Sequence, residues 1–229
     1  MQGAVLEAAR RFLGPDARVT GASRTDAGVH ALRQTASLST EATLAPAAVQ
    51  AALNAALPPS VRVLDAREAP ADFDARRSAA GKRYLYLLDN GSIAAPLLRR
   101  FAWHAPGALD LGAMRAALAA VRGRHDFSAF CAAPGRDADP VCHVRAAHVL
   151  RRRALVAVLV SADRFLHHMV RNLVGSAVEV GRGTRPVEWL AEVLASKDRK
   201  RAGPTAPPQG LVLVRVRYPD APGSLADGR

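Results

Sequence analysis

The sequence predicts an α+β protein, and three observations support that class. Amphipathic helices and short strands are mixed without the strict strand–helix–strand alternation of a parallel sheet. Apolar residues recur at helical spacing in some segments and alternate in others. The mixture of helices and strands in the first half is repeated in the second. This predicts two similar halves, residues 1–106 and 107–219, around a central cleft. Residues 220–229 are predicted to form a disordered tail.

The first half is predicted to begin directly in a helix, with apolar positions on one face up to Leu13 and a stop at Gly14-Pro15. The sequence then predicts strands over 18–22 and 34–40, a helix from Pro46 to Pro58, a strand over 61–65, a strand apolar on both sides over 84–88, and a short strand over 101–103.

The second half is predicted to open with a helix that Asp110 caps and Gly123 closes. Next come a long polar loop over 125–140, strands over 144–150 and 155–160, a helix capped by Asp163 and released at Gly181, a helix from Pro186, a basic linker over 197–208 and a final strand over 211–214. Loops as long as 125–140 are usually functional or mobile.

Charge favours a polyanionic partner. The formal net charge is +12 and the isoelectric point about 11.1, so counterion release favours nucleic acid. Basic clusters lie at Arg99-Arg100, at residues 151–153 and at residues 197–201. The alternative is an arginine-biased, solvated surface, which charge alone does not exclude. No long amphipathic segment pairs these clusters with a bulky apolar face, which disfavours a membrane surface.

Two cysteines, Cys131 and Cys142, are too few for a disulfide framework or a zinc site. The longest apolar run, residues 154–160, has the length of a strand and not of a membrane span. With no signal peptide before the first helix, we expect a cytoplasmic protein.

Residues 21–31, GASRTDAGVHA, form the segment around which the chain is organised. The pattern predicts a strand that runs into a tight loop, where Gly28 can take a positive φ and Asp26 can bond the nearby backbone. A carboxylate at such a loop tip is often found in catalytic sites, but composition and turn preference favour an ordinary turn aspartate here. The pattern by itself leaves both interpretations open.

The segment RTDAGVHA, residues 24–31, resembles the catalytic motif of the tRNA pseudouridine synthase A family. Further stretches match in the family's order: FDAR at 73–76 with KRYLY at 82–86, FLHHMVRNLVG at 165–175, and the closing strand from Gly210 to Pro219. The resemblance covers nearly the whole chain. It implies a pseudouridine synthase fold with a shared antiparallel sheet, a homodimer that binds tRNA across both subunits, no cofactor, and isomerisation of uridine to pseudouridine at positions 38–40, in the anticodon stem-loop.

The resemblance also assigns three catalytic residues. Asp26 would act as the nucleophile, Arg171 would pair with it, and Tyr84 would stack on the target base and assist at C5. Without the resemblance, Arg171 is equally well a surface residue of an amphipathic helix, and a tyrosine such as Tyr84 is more commonly a core residue of a strand. Tyr86 is predicted to be such a core residue on the same face of the sheet.

Arg24 is implied to fill the space that the extruded uridine leaves, with a plain phosphate contact as the alternative. Lys82, Arg83 and His168 are further candidates for RNA contacts. His30 is predicted to brace the loop rather than to act as an acid or base.

A metal site at His167-His168 is not predicted. Adjacent histidines on a helix point about 100° apart, so they do not share one ion easily, and the sequence offers no evident third ligand.

The chain departs from the family pattern at its start. The usual first strand, with its Tyr-Asp-Gly and Gly-Trp-Gln elements, does not precede residues 1–3, and an internal start codon is one hypothesis for this. A shortened sheet would expose backbone hydrogen-bonding groups. The alternative function is therefore a catalytically impaired RNA-binding remnant. A hydrolase that uses Asp26 and His30 is a weaker third interpretation, because it gives no role to the basic clusters.

Overall fold

The computed structural model describes residues 1–132 and 139–219. Its contacts divide the chain into two compact units, Met1–Arg24 with Gln34–Ala79, and Thr25–Arg33 with Ala80–Arg229. These bounds differ from those of the predicted halves, 1–106 and 107–219, whose mutual similarity stays a prediction. The predicted tail, 220–229, lies outside the described residues.

The first unit contains two helices and a two-stranded sheet. Its elements are α1 (Gln2–Leu13), β1 (Arg18–Gly21), β3 (Ala36–Ser39) and α2 (Pro46–Ala56), with β1 and β3 antiparallel. Helix α1 ends at Gly14, whose φ of 96° suits glycine. Leu13, Leu53 and Leu57 belong to the buried cluster of this unit. These four elements are predicted correctly from the sequence.

The strand predicted over 61–65 is wrong. Side chains of α2 take the place of a partner strand there, because the Asn54 carboxamide bonds both the N–H and the carbonyl of Val63. Gln50 donates to the carbonyls of Val63 and Leu64. With its backbone groups bonded in this way, the segment is irregular.

The second unit is built on a seven-stranded sheet, whose strands are β2 (His30–Ala31), β4 (Gly81–Asp89), β5 (Trp103–His104), β6 (Gly123–Asp126), β7 (Val141–Arg152), β8 (Leu155–Ala162) and β9 (Leu211–Arg217). The strand order is β2-β9-β4-β8-β7-β6, and β5 pairs with β4. The β2–β9 and β4–β5 pairs are parallel and the other pairs antiparallel. The predicted central strand is β4, which lies between β9 and β8.

Three helices pack with the sheet in one hydrophobic core: α3 (Leu111–Ala119), α4 (Met169–Gly181) and α5 (Trp189–Ser196). Asp110 caps α3 as predicted, because its side chain accepts a hydrogen bond from the N–H of Ala113. Tyr86 is fully buried, as predicted. The mixture of helices and a largely antiparallel sheet confirms the α+β class.

Three predicted segments of this unit need correction. Strand β6 and a 3₁₀ turn, Ser128–Phe130, occupy part of the predicted loop 125–140, of which residues 133–138 lie outside the described part. Asp163 does not cap α4, since its carboxylate accepts from the N–H groups of His143 and Arg164. The predicted linker 197–208 contains a 3₁₀ turn, Arg199–Arg201.

In the part of the chain that the structure describes, none of the helices has both the length and the apolar character needed to cross a membrane.

Candidate active site

The loop that carries Asp26 is attached to the large sheet of the second unit. Strand β2 follows directly and pairs in parallel with Val212 and Leu213 of β9. The N–H of Val29 bonds the carbonyl of Asp26 at 3.0 Å, which closes a tight turn. Gly28 adopts a φ of 84° in this turn, a conformation that favours glycine. The turn chemistry predicted from residues 26–28 is therefore present, and it fixes the backbone next to the carboxylate.

Helix α4 presents the basic partner of this carboxylate in its first turn. His168 precedes the helix in the left-handed conformation, with a φ of 60°, and its carbonyl accepts the N–H of Asn172 at 2.9 Å. A non-glycine residue held there costs about 1–3 kcal/mol, and such strain clusters at functional sites. The left-handed residue turns the chain into the helix, so that His167 and His168 lie before α4 and Arg171 lies on it.

Three basic side chains surround Asp26. Arg171 Nη1 lies 3.1 Å from Asp26 Oδ2, and His168 Nε2 lies 2.9 Å from the same oxygen. His167 Nε2 lies 3.8 Å from Oδ1, outside hydrogen-bonding distance. Oδ1 is therefore the less engaged of the two carboxylate oxygens, on a side chain that is 34% exposed. The Arg171 side chain is only 11% exposed, so its charge is poorly screened by water.

Comparisons with known proteins identify the family of the chain. A family model described as tRNA pseudouridine synthase matches residues 4–76 and 117–219. A tRNA pseudouridine synthase A of Myxococcus xanthus is 49% identical over 226 residues, 98% of this chain and 85% of that protein. The protein of the same name from Ralstonia nicotianae is 46% identical over 222 residues, 95% of this chain and 81% of its own.

The chain belongs to the tRNA pseudouridine synthase family. This confirms the family identified from the motifs, and with it an isomerase that makes pseudouridine in tRNA. A relative from Moorella thermoacetica, also named tRNA pseudouridine synthase A, is 41% identical and is covered over 89% of its length.

Burial sets the protonation of the histidine next to Asp26. Removal from water lowers the pKa of His168, and the opposing effect of the Asp26 carboxylate does not compensate for it. At neutral pH the ring is therefore uncharged, and an N–H at Nε2 can point toward Oδ2. The structure thus places His168, predicted to contact RNA, against the carboxylate of this pseudouridine synthase.

The divergent orientation predicted for the rings of His167 and His168 is wrong, because the two residues do not lie on a helix. Both histidines precede α4, their rings lie 3.8 Å apart between centroids, and their donor atoms lie with those of Asp26 within 4.8 Å of one another. Such a donor set suits zinc. However, the Arg171 guanidinium already contacts the Asp26 carboxylate, and its positive charge opposes the binding of a metal ion there. A histidine that binds a metal usually donates a hydrogen bond through its other ring nitrogen, whereas the buried Nδ1 of His167 lacks a hydrogen-bond partner among the described residues. These features favour a metal-free cluster of one carboxylate and two imidazoles.

Tyr84 lies on β4 and is 6% exposed. Its ring contacts that of Phe165 edge to face, with centroids 5.0 Å apart and an interplanar angle of 86°. Phe165 lies in the segment that leads through His167 and His168 to α4, so this segment restricts the ring of Tyr84. A base can stack on Tyr84 only where this small surface is exposed, or after a neighbour moves.

The other predicted site residues are more dispersed. Arg24 is exposed and belongs to the first unit, so its role stays a prediction. Lys82 and Arg83 open β4, and Arg83 Nε donates to the Ser161 hydroxyl at 3.1 Å. His30 packs on the ring of Phe101 and contacts the carbonyl of Arg100 through Nε2 at 2.6 Å, which fits the bracing role predicted for it.

Sequence reasoning missed the part of the site that lies between α5 and β9. The guanidinium of Arg171 also donates from Nε to the carbonyl of Ala206 at 2.7 Å. The run of small residues and prolines over 202–208 indicated a linker, and composition gave no signal that one of its carbonyls orients the arginine.

Proposed function

We propose that this chain converts uridine to pseudouridine in the anticodon stem-loop of tRNA, at positions 38–40, with Asp26 as the nucleophile. The observation that carries the proposal is the Asp26 carboxylate, one oxygen of which, Oδ2, is contacted by both the Arg171 guanidinium and the His168 imidazole. That arrangement leaves Oδ1 as the oxygen that approaches the substrate.

The reaction breaks the bond between C1′ and N1 of uridine, rotates the base and forms a bond from C1′ to C5. A carboxylate nucleophile divides this rearrangement into easier steps. Attack on the base, attack on the sugar and stabilisation of a glycal all require an ionised Asp26. Arg171 and His168 both contact Oδ2 of Asp26, so they hold the carboxylate in one orientation for the reaction.

The target uridine must leave the helical stack, which costs a few kcal/mol. We propose that Arg24 occupies the vacated space and that Tyr84 contacts the extruded base. Lys82 and Arg83 would contact the RNA backbone, in line with the net charge of +12. Much of the selection of the site would rest on RNA shape, because A-form helices expose little sequence to side chains.

The experiment is tritium release from tRNA labelled at C5 of uridine, since isomerisation transfers the C5 hydrogen to water. The wild type is expected to release label, and Asp26→Asn is expected to release none while binding tRNA normally. Asp65→Asn is the matched control, because Asp65 is 56% exposed and pairs only with exposed Arg67 among the described residues. Wild-type protein that binds tRNA without releasing label would instead indicate the RNA-binding remnant.

Mapping of the product tests the position. Pseudouridine detected by reverse-transcription stops after carbodiimide treatment is expected in the anticodon stem-loop. Stops confined to another arm of the tRNA would refute the proposed substrate position while leaving the role of Asp26 intact.

A further inference from the structure

Residues 199–210, here called the strap, connect α5 to β9 and lie along α4. The strap begins with the 3₁₀ turn Arg199–Arg201, which Asp198 caps by accepting the N–H of Lys200, and ends with a second turn, Pro208–Gly210. Residues 202–207, between the two turns, are neither helix nor strand, so side chains and single carbonyls must hold them in place.

The strap bonds Arg171 twice through one residue. The N–H of Ala206 donates to the carbonyl of Arg171 at 3.1 Å, and Arg171 Nε donates to the carbonyl of Ala206 at 2.7 Å. The Nη1 of the same guanidinium then reaches Asp26 Oδ2. Because a guanidinium is planar and rigid, the position of the Ala206 carbonyl sets the direction in which Nη1 points.

A second set of hydrogen bonds fixes the strap one residue further along α4. Asn172 is fully buried, and its carboxamide donates to the carbonyl of Phe130 and accepts from Thr205 Oγ1 at 2.7 Å and from Arg199 Nη2 at 3.1 Å. Arg199 Nη2 also donates to Thr205 Oγ1 at 3.0 Å, and Nη1 donates to the carbonyl of Gly203 at 3.1 Å.

The acceptors of Arg199 are all neutral oxygens. No carboxylate among the described residues lies within ion-pair distance of it, and burial lowers the pKa of this arginine. A partly buried cation without a counterion is costly, so stability alone favours a neutral residue at this position. The Arg199 guanidinium instead has a geometric role. This one planar group bonds Gly203 and Thr205 of the strap and also Asn172, which follows Arg171 on α4.

Packing leaves the strap little freedom to shift. A Cβ at Gly175 would overlap the carbonyl oxygen of Pro204, and a Cβ at Gly203 would lie 2.9 Å from the Cα of Ser176. The N–H of Gly203 donates to the Ser176 hydroxyl at 2.9 Å. Backbone therefore rests directly on backbone at two points between the Arg199 turn and Ala206.

We propose that Arg199 is a positioning residue for the isomerase: through Asn172 and Thr205 it fixes the strap, and the strap carbonyl of Ala206 aims Arg171 at Asp26. This inference rests on the proposed function, in which Asp26 performs the chemistry. It assigns to a residue outside the catalytic cluster an effect on the chemical step and none on tRNA binding.

The test compares Arg199→Ala with the wild type in single-turnover tritium release and in tRNA binding. Displacement of a catalytic group by about 1 Å costs about 100-fold in rate, so we expect a loss of 10- to 100-fold in the chemical step with less than a twofold change in the dissociation constant. Arg124→Ala is the matched control, because it removes the same charge from an exposed position on β6, outside the strap and the basic clusters. It is expected to retain the wild-type rate.

A second readout reports the position of Arg171 directly. Hydrogen exchange of the Arg171 Nε–H, followed by NMR with labelled arginine, is expected to be slow in the wild type and in Arg124→Ala, and fast in Arg199→Ala. Thr205→Val, which removes one hydroxyl from the same network and is milder, is expected to shift both readouts in the same direction.

The outcomes separate the two proposals. Absence of tritium release by the wild type would refute the proposed function, while slow exchange at Arg171 would still report the positioning. An active wild type whose Arg199→Ala variant keeps its rate within threefold, or loses rate and tRNA affinity equally, would overturn the inference. If Arg199→Ala is unfolded by circular dichroism, Thr205→Val decides by the same criteria.

Discussion

Replacement of Arg171 by alanine is the most direct test of the charge arrangement at the site. Loss of one partner of a hydrogen-bonded charge pair costs about 2–5 kcal/mol. The Asp26 side chain is 34% exposed, so water can replace part of the lost interaction, which favours the lower end of that range. A loss of about 2–3 kcal/mol in the chemical step corresponds to about 30- to 160-fold in rate, at 1.36 kcal/mol for each factor of ten.

The assay is single-turnover tritium release together with a separate measurement of tRNA affinity. Arg171→Ala is expected to lower the rate by that factor and to change affinity less than threefold, because its side chain is 11% exposed and faces Asp26. Arg171→Lys keeps the charge but loses the fork that joins Ala206 to Asp26, so its rate is expected to fall between those of the wild type and Arg171→Ala. Equal losses in rate and affinity for Arg171→Ala would refute the reasoning and indicate an RNA-contacting arginine.

The remaining predictions concern stability, the strap and assembly. The pKa of His168 is lower in the folded chain than its unfolded value of 6.5, so the unfolded chain binds more protons just below that pH. The unfolding free energy measured with urea is therefore expected to fall as the pH falls from about 6.5, and to fall less steeply in His168→Asn. Asp110→Ala removes the N-cap acceptor for Ala113 and is expected to cost about 1 kcal/mol of unfolding free energy, with no loss of rate. Gly203→Ala, with its Cβ 2.9 Å from Ser176, must move the strap by several tenths of an ångström and is expected to slow tritium release at least tenfold at unchanged tRNA affinity. Light scattering is expected to give twice the chain mass of 24.2 kDa, and a value at 24.2 kDa would refute the homodimer.

The local sequence pattern predicts the helices and strands whose type and burial follow from their own residues. Strand β4 is apolar on both sides and is therefore central, and the first helices are marked by apolar spacing with proline and glycine at their ends. The strand predicted over 61–65 is wrong because its backbone bonds go to the side chains of Asn54 and Gln50, which no periodicity of the segment itself can reveal.

The cluster around Asp26 could not be derived from pattern. Asp26 and Arg171 are separated by 145 residues, and only the resemblance to a family brought them together before the fold was known. His167 and His168 were predicted to lie on the helix for a different reason. The apolar residues keep helical spacing through this part of the sequence, whereas α4 begins only after the left-handed turn at His168. One such residue redirects both rings toward the carboxylate.

The site also shows why the end of the chain matters to a motif near its beginning. Residues 25–33 belong by contact to the second unit, because β2 pairs with β9 and the N–H of Leu32 bonds the carbonyl of Leu213. The strap immediately before β9 supplies the Ala206 carbonyl to Arg171, and its Pro208 lies against Gly28, where a Cβ would come within 3.2 Å of the proline ring. Both the carboxylate and the guanidinium are thus positioned by residues 206–213. A segment whose composition indicates a linker followed by a plain closing strand therefore sets the geometry of the Asp26–Arg171 pair. Under the proposed function, changes in this segment are expected to slow the chemical step before they weaken RNA binding.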